Sequence, residues 1–543
     1  MRNTIVMREN QENEILGEKS TKAEGNQPIK EKENKSTEEE EEKNQNPKQE
    51  ENQTDQKVIS QDVKNTPENE SNPISFSSSI IFAFDWNGYD ALSLMILIGI
   101  GVFSRFWVIQ YPRHFVGDEA IYIGQINSYI NGSYFIGTQP PLATMVMAAI
   151  AYLSDYKQQF KPPIHEYNYS YPSMEYVTLR STPAYFATFL IPLSFFIVRL
   201  FGSSRLTALA SGIFTLCDFL LIGMGRHIYP DGIVHAFVAF SVFFSALLIH
   251  FRPYSFTWWL LLILESIFTG FSVSSSFSAF GLFIYIFIFT IYSISKQQSG
   301  KIQITKQVIF VGFIIVIITF SIFFVSFCFH VLYLPYSSAA SLHSSSFIKE
   351  NSETITSLIQ PGQPYLINHL TIPKRAIENI FATYKALSSK KDFSGKWYKW
   401  PIMNVDWVLL WTDVGRYVGI FGNIAFWWPA FFCCIYSSIK TIVQRTFNRY
   451  YVFLTLGWIT SLGYFAFGPS EHGLCDYALA DVFSIWVLCL MVDEMSETVG
   501  GFIITGLICL SIFVFILWAP VLYGYENIDT RFLPNFVKLV KKI

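Results

Sequence analysis

The sequence predicts an all-α polytopic membrane protein with about 11 transmembrane helices, and three observations carry that prediction. Of the 543 residues, 51% are hydrophobic and 17% aromatic, while only 15% are charged, against roughly 25% in a soluble globular domain. The charges are also segregated, with residues 1–75 holding 29 of the 81 (11 Lys/Arg and 18 Asp/Glu). Beyond them, apolar runs long enough to cross a bilayer recur through the chain. Several classes drop out. Seven Cys, including the adjacent Cys433 and Cys434, give neither a disulfide framework nor a zinc spacing. There is no Gly-rich nucleotide loop. A net charge of −3 without a basic patch argues against nucleic acid.

The elements follow in order. Residues 1–75, rich in Glu, Lys, Asn and Gln with the run Glu38 to Glu42, hold too little apolar surface to offset the entropy of ordering. They are expected to be a disordered acidic cytosolic tail. Residues 90–525 are expected to form one transmembrane domain. Its spans are predicted near 91–112, 178–200, 205–223, 232–250, 257–274, 277–293, 308–333, 417–439, 450–468, 476–493 and 500–523. Arg199, Arg205, Arg252, Lys296, Lys301, Lys306, Lys440, Arg445 and Arg449 then fall on the tail's side, as the positive-inside rule requires. Two large loops, 113–177 and 334–416, lie on the far side with the short C-terminus 526–543. The stretch 140–154 is apolar but too short to span, and is expected to lie on the membrane surface. Asn131-Gly-Ser and Asn168-Tyr-Ser in the first loop match the glycosylation sequon.

Ionisable residues near membrane depth are costly, which makes each a candidate for function. Arg105 stands near the far end of the first span, Asp118-Glu119 follow in the first loop, and Arg180 opens the second span. Arg226, His227 and Asp231 occupy the turn between spans three and four. Charges from four places thus converge on one membrane face. Adjacent carboxylates opposite several arginines suit a reaction with an anionic leaving group: a carboxylate takes a proton from the acceptor and cations stabilise the departing charge.

These residues sit within an ordered series of motifs that resembles the protein O-mannosyltransferases, members of the GT-C superfamily. Arg105, Asp118-Glu119, Tyr129-Ile-Asn-Gly-Ser-Tyr-Phe135 and Gln139-Pro-Pro-Leu142 follow that family's order of Arg, Asp-Glu, a Tyr-rich segment and His-Pro-Pro-Leu. Tyr176-Val-Thr-Leu-Arg180, Asp218, Arg226, Asp231, Thr269-Gly270, His330, Ser394-Gly-Lys-Trp397-Tyr-Lys-Trp400-Pro401, Gly422-Asn423 with Trp427-Trp428, and Leu456-Gly-Trp458 continue it. The similarity spans roughly 90–495.

The resemblance implies a GT-C fold and inverting transfer of mannose from dolichyl-phosphate mannose to Ser/Thr hydroxyls of proteins. Asp118 would be the general base and Glu119 its positioning partner. Arg180 would bind the lipid phosphate, with Arg105, Arg226 and Asp231 in support, and Gln139, Pro140 and Pro141 would shape the substrate groove. It further implies endoplasmic reticulum placement with a cytosolic N-terminus and lumenal C-terminus, a homo- or heterodimer with a homologous transferase, and neither metal nor cofactor. The chain departs from the family at Gln139 for His, Ser278 for Lys, Ile424 for Pro, and Cys475-Asp476-Tyr477 for His-His-Tyr. Its second loop is too short for the MIR domain that many members carry there. Another lipid-linked sugar or acceptor, or a non-catalytic partner role, is the alternative those departures leave open.

Overall fold

A computed structural model describes residues 86–157, 170–296, 301–335, 371–388, 396–404, 408–413, 416–445, 449–467 and 473–524. The tail 1–75, Asn168 and the C-terminus 526–543 lie outside the described residues, as does much of the second loop. Among the described residues, ten helices are long and apolar enough to cross a membrane, or 11 if one bent pair is counted as a single span. The protein is a multi-pass membrane protein.

Helix α1 (Gly88–Phe106) starts at a capping box, in which the Asn87 side chain accepts from Asp90 N–H and the Asp90 carboxylate accepts from Asn87 N–H. It ends earlier than the predicted 91–112. The carbonyls of Trp107 and Val108 accept from Arg226, and those of Ile109 and Pro112 accept from Arg180. These arginines satisfy the carbonyls of the segment just past the helix end.

The first loop contributes α2 (Glu119–Asn131) and α3 (Leu142–Leu153). The latter is the expected surface helix. The second span is α4 (Tyr176–Leu200).

The third span is not continuous as predicted. It is broken into α5 (Arg205–Cys217) and α6 (Phe219–Arg226), bent by 56° at Asp218. A break at membrane depth exposes carbonyls that need new donors. Arg105 supplies them for Thr215 (3.2 Å) and Leu216 (3.5 Å), and Asn423 Nδ2 for Cys217 (3.0 Å). Asp218 itself caps α6 through Leu221 N–H at 2.8 Å.

Spans α7 (Asp231–Leu248), α8 (Phe256–Val273), α9 (Phe280–Lys296) and α10 (Lys301–Tyr333) follow. The second loop adds α11 (Ile372–Ser388) and an antiparallel hairpin, β1 (Val408–Asp413) with β2 (Arg416–Ile420). Because 416–420 is strand, the next span, α12 (Ile424–Gln444), starts later than the predicted 417. It is capped by the Asn423 side chain. The bundle closes with α13 (Tyr450–Phe467), α14 (Ala478–Asp493) and α15 (Glu497–Tyr523). Span 474–493, which contains α14, is the central one, with 89% of its apolar window buried, whereas that of α15 is 22% buried and faces outward. Apolar side chains such as Met95, Phe103, Phe502 and Phe513 are exposed on peripheral spans, the arrangement expected against lipid.

Candidate active site

The site is built around one carboxylate. Glu119, at the first turn of α2, is fully buried and accepts five hydrogen bonds. Arg180 gives it two from Nε and Nη2, each 2.7 Å, and Tyr171 Oη gives one at 2.8 Å. The backbone N–H groups of Val116 (3.0 Å) and Ile228 (3.1 Å) give the others. Burial alone would raise its pKa. The Arg180 charge, with hydrogen bonds, instead holds it well below the usual carboxylate range.

Arg180 is equally occupied. Beyond Glu119 it donates to the carbonyls of Ile109 (3.2 Å), Pro112 (2.9 Å) and His114 (3.0 Å), and lies against the rings of Tyr171 and Tyr176. All five N–H groups are engaged inside the protein. This guanidinium, expected to bind the lipid phosphate, ties the first loop to α4 with all its donors engaged inside the protein.

Arg105 and Arg226 are buried as well. Arg105 serves the broken span, and Arg226 holds the carbonyls of Trp107 and Val108 while lying 4.3 Å from the centre of the Tyr523 ring. His227, at the end of α6, is 1% exposed, and its Nδ1 lies 3.6 Å from Glu119 Oε1. Burial pushes its pKa down to about 4, so the ring is neutral at neutral pH.

Asp118 differs from all of these. It is half-buried, sits at the start of α2, and its carboxylate caps nothing. Its backbone is fixed instead. Asp118 N–H donates to Tyr229 Oη (3.0 Å), whose hydroxyl donates to Val116 O (2.9 Å). Gly117 is held at φ +53°, and a Cβ there would run into Tyr229 Oη, so the position favours glycine. Its N–H donates to Leu410 O of β1 (2.9 Å). Asp118 is thus a half-buried carboxylate on a rigid turn. Asp231, also half-buried at the start of α7, lies within electrostatic range of Asp118 and Asp476. Among the described residues no cluster of three His, Cys, Asp or Glu is placed to hold a metal.

Gln139, Pro140 and Pro141 lie elsewhere. Gln139 Oε1 accepts from Phe277 N–H (3.1 Å), and Leu142 N–H donates to Ser274 O (2.9 Å), so the Pro-Pro step docks α3 onto the turn after α8. Gln139 and Pro141 line a small pocket whose walls do not include Asp118. Tyr171 and Tyr229 were not singled out from the sequence, where a tyrosine in a Tyr-rich loop carries no distinguishing signal.

The described residues thus form a mostly helical membrane bundle with a broken third span, and Asp118 stands at the start of α2. The bundle superposes on a chain of the Saccharomyces cerevisiae protein O-mannosyltransferase Pmt1-Pmt2 complex bound to the sugar donor. The TM-score is 0.70 at 14% identity, covering 83% of this chain and 92% of that one. Residues 95–335 match the family model for dolichyl-phosphate-mannose-protein mannosyltransferase. That match covers less than half of the chain, and over it the chain is similar to the protein O-mannosyltransferases. Among curated relatives, the Saccharomyces cerevisiae dolichyl-phosphate-mannose–protein mannosyltransferase 3 is 31% identical over 200 residues, 36% of this chain and 26% of that protein. The Schizosaccharomyces pombe mannosyltransferase 4 is 27% identical over 201 residues, 36% of this chain and 25% of that protein. The rat protein O-mannosyl-transferase 1 is 25% identical over 287 residues, 50% of this chain and 38% of that protein. The matched stretch spans about a quarter of the length of the two yeast relatives.

Proposed function

We propose that this protein transfers mannose from dolichyl-phosphate mannose to Ser or Thr hydroxyls of proteins at the lumenal face of the endoplasmic reticulum membrane. One observation carries the reading: Asp118 is a half-open carboxylate on a turn fixed from three sides, next to a carboxylate that is wholly closed. In the proposed reaction Asp118 takes the proton from the acceptor hydroxyl as its oxygen attacks the anomeric carbon. The bond from that carbon to the phosphate oxygen breaks on the opposite face, with inversion, and dolichyl phosphate leaves. Glu119 positions the base and does not exchange protons. Arg105, Arg180 and Arg226 act as a buried positive field on the leaving phosphate, not as direct ligands. The reading places the N-terminus in the cytosol and the C-terminus in the lumen, and allows a dimer with a homologous transferase. It requires neither cofactor nor metal.

The test is transfer of labelled mannose from dolichyl-phosphate mannose to a Ser/Thr-rich peptide by membranes carrying the full chain. The reading expects transfer that Asp118→Asn abolishes. Absence of transfer by folded protein, with or without a homologous partner, contradicts it.

A further inference from the structure

Helix α11 has three sides where an ordinary surface helix has two. Its 17 residues turn by about 100° each, and burial sorts them into sectors. In the first, Ala376, Asn379, Thr383, Ala386 and Leu387 are buried against the protein. Ala376 and Leu387 pack with Phe323 and Phe327 of α10. Asn379 Nδ2 donates to Tyr134 Oη of the first loop (2.6 Å), and Thr383 donates to Asn379 Oδ1 (3.1 Å). In the second sector Lys374, Glu378 and Lys385 are charged and exposed. The third lies between these two and is apolar: Ile377 is 48% exposed, Phe381 70% and Tyr384 46%. They recur at i, i+4 and i+7, so they form one continuous stripe.

The position of the helix says what covers that stripe. Phe323 and Phe327 stand ten and six residues before the end of α10 at Tyr333, about 15 and 9 Å along its axis. No Asp, Glu, Lys or Arg follows Lys306 in that span. Helix α11 is therefore docked on the apolar part of a spanning helix and not above its end. On the flank of the stripe, Tyr384 meets the Phe277 ring edge-on at 5.8 Å and lies within electrostatic range of Tyr464 of α13. One turn beyond Tyr464 stands Phe467, fully exposed. The stripe thus continues the outward apolar surface of the spans, which faces lipid. At 17 residues, with a charged sector, α11 is itself too short and too polar to cross the bilayer.

We propose that α11 is an in-plane lipid anchor, with Ile377, Phe381 and Tyr384 immersed among the phospholipid acyl chains of the leaflet on the side of the two large loops. Lys374, Glu378 and Lys385 then lie among the head groups, the division that an interfacial amphipathic helix requires. The partner is bulk phospholipid. A peptide or a second copy of the chain would have to displace lipid from the depth of the last turns of α10. Through Asn379 and Tyr134 the anchor also holds the segment that follows α2, so lipid contact and the position of the first loop are linked. None of this depends on the function proposed above.

The experiment is photo-crosslinking of the full chain in phosphatidylcholine nanodiscs, with p-benzoylphenylalanine placed at Phe381, at Tyr384 or at Glu378 and adducts read by mass spectrometry. Both aromatic positions keep a ring of similar shape, so Tyr384 preserves the test if the Phe381 variant fails to fold, which thermal unfolding reports. Phospholipid adducts are expected at 381 and 384 and their loss at 378. Absence of lipid adducts at both aromatic positions, equal adducts at 378, or cross-links to a second copy or to an added Ser/Thr-rich peptide in place of lipid overturn the anchor. A second measurement is hydrogen exchange of 372–388 in the same nanodiscs. Phe381→Asp should speed it by about tenfold or more, because it withdraws a buried aromatic from lipid. Unchanged exchange would show a stripe that already faces water and would likewise overturn the anchor.

Discussion

Helix α2 has two ends that obey opposite rules. At its start, Glu119, Arg180, Tyr171 and the surrounding backbone are fully paired and shut away from solvent. Toward its other end, Gln125 stands near Thr144 and Gln139. The closed end fixes the fold, and the other end lines a small pocket. Asp118 is the exception that makes the closed end useful, because the network that occupies Glu119 fixes the adjacent backbone and leaves the Asp118 side chain half-open. Breaking a buried pair leaves an uncompensated charge, whereas deleting an unpaired polar group costs the fold little.

That contrast orders the expected effects. Arg180→Leu strands Glu119 in a buried site and should cost about 3–5 kcal/mol, read as loss of folded protein in thermal unfolding. Acidification comes next. His227 has a folded pKa of about 4 against an ordinary 6.5. The unfolded state therefore binds a proton that the folded state refuses across that window, and stability falls as pH drops from 6.5 toward 4. The loss is on the order of 3 kcal/mol. His227→Gln should flatten this part of a Tm–pH curve. Glu119, with a lowered folded pKa, contributes stability above about pH 4.5 that is lost below it, which the variant should retain. Smallest is Gln125→Ala, which should leave thermal stability within about 1 kcal/mol because it removes no hydrogen bond among the described residues; a larger loss would show that the pocket is structural.

The sequence made the span count and the surface helix legible, because long apolar runs and the short apolar stretch 140–154 follow directly from bilayer thickness. It did not show the break at Asp218, since the flanking residues are apolar and helix-compatible. The break is stabilised by Arg105 and Asn423, 113 and 205 positions away in sequence. The hairpin 408–420 was likewise hidden behind residues that read as the start of a span. For the site, charge convergence on one face was readable and the placement of Glu119, Arg180 and Arg226 agrees with it. What the residue types could not reveal was occupancy: only the structure traces the five N–H groups of Arg180, an arginine beside a candidate base, to carbonyls and a carboxylate.

The central claim is a division of labour between two adjacent carboxylates, with Asp118 reacting and Glu119 holding it in place. The most direct measurement is single-turnover mannose transfer by the purified full chain, wild type beside Asp118→Asn, with thermal unfolding recorded on the same samples. The account predicts a rate lower by about 10²–10⁴ at an unchanged Tm. A mutant that transfers at the wild-type rate, or whose rate falls only as its Tm falls, would contradict it.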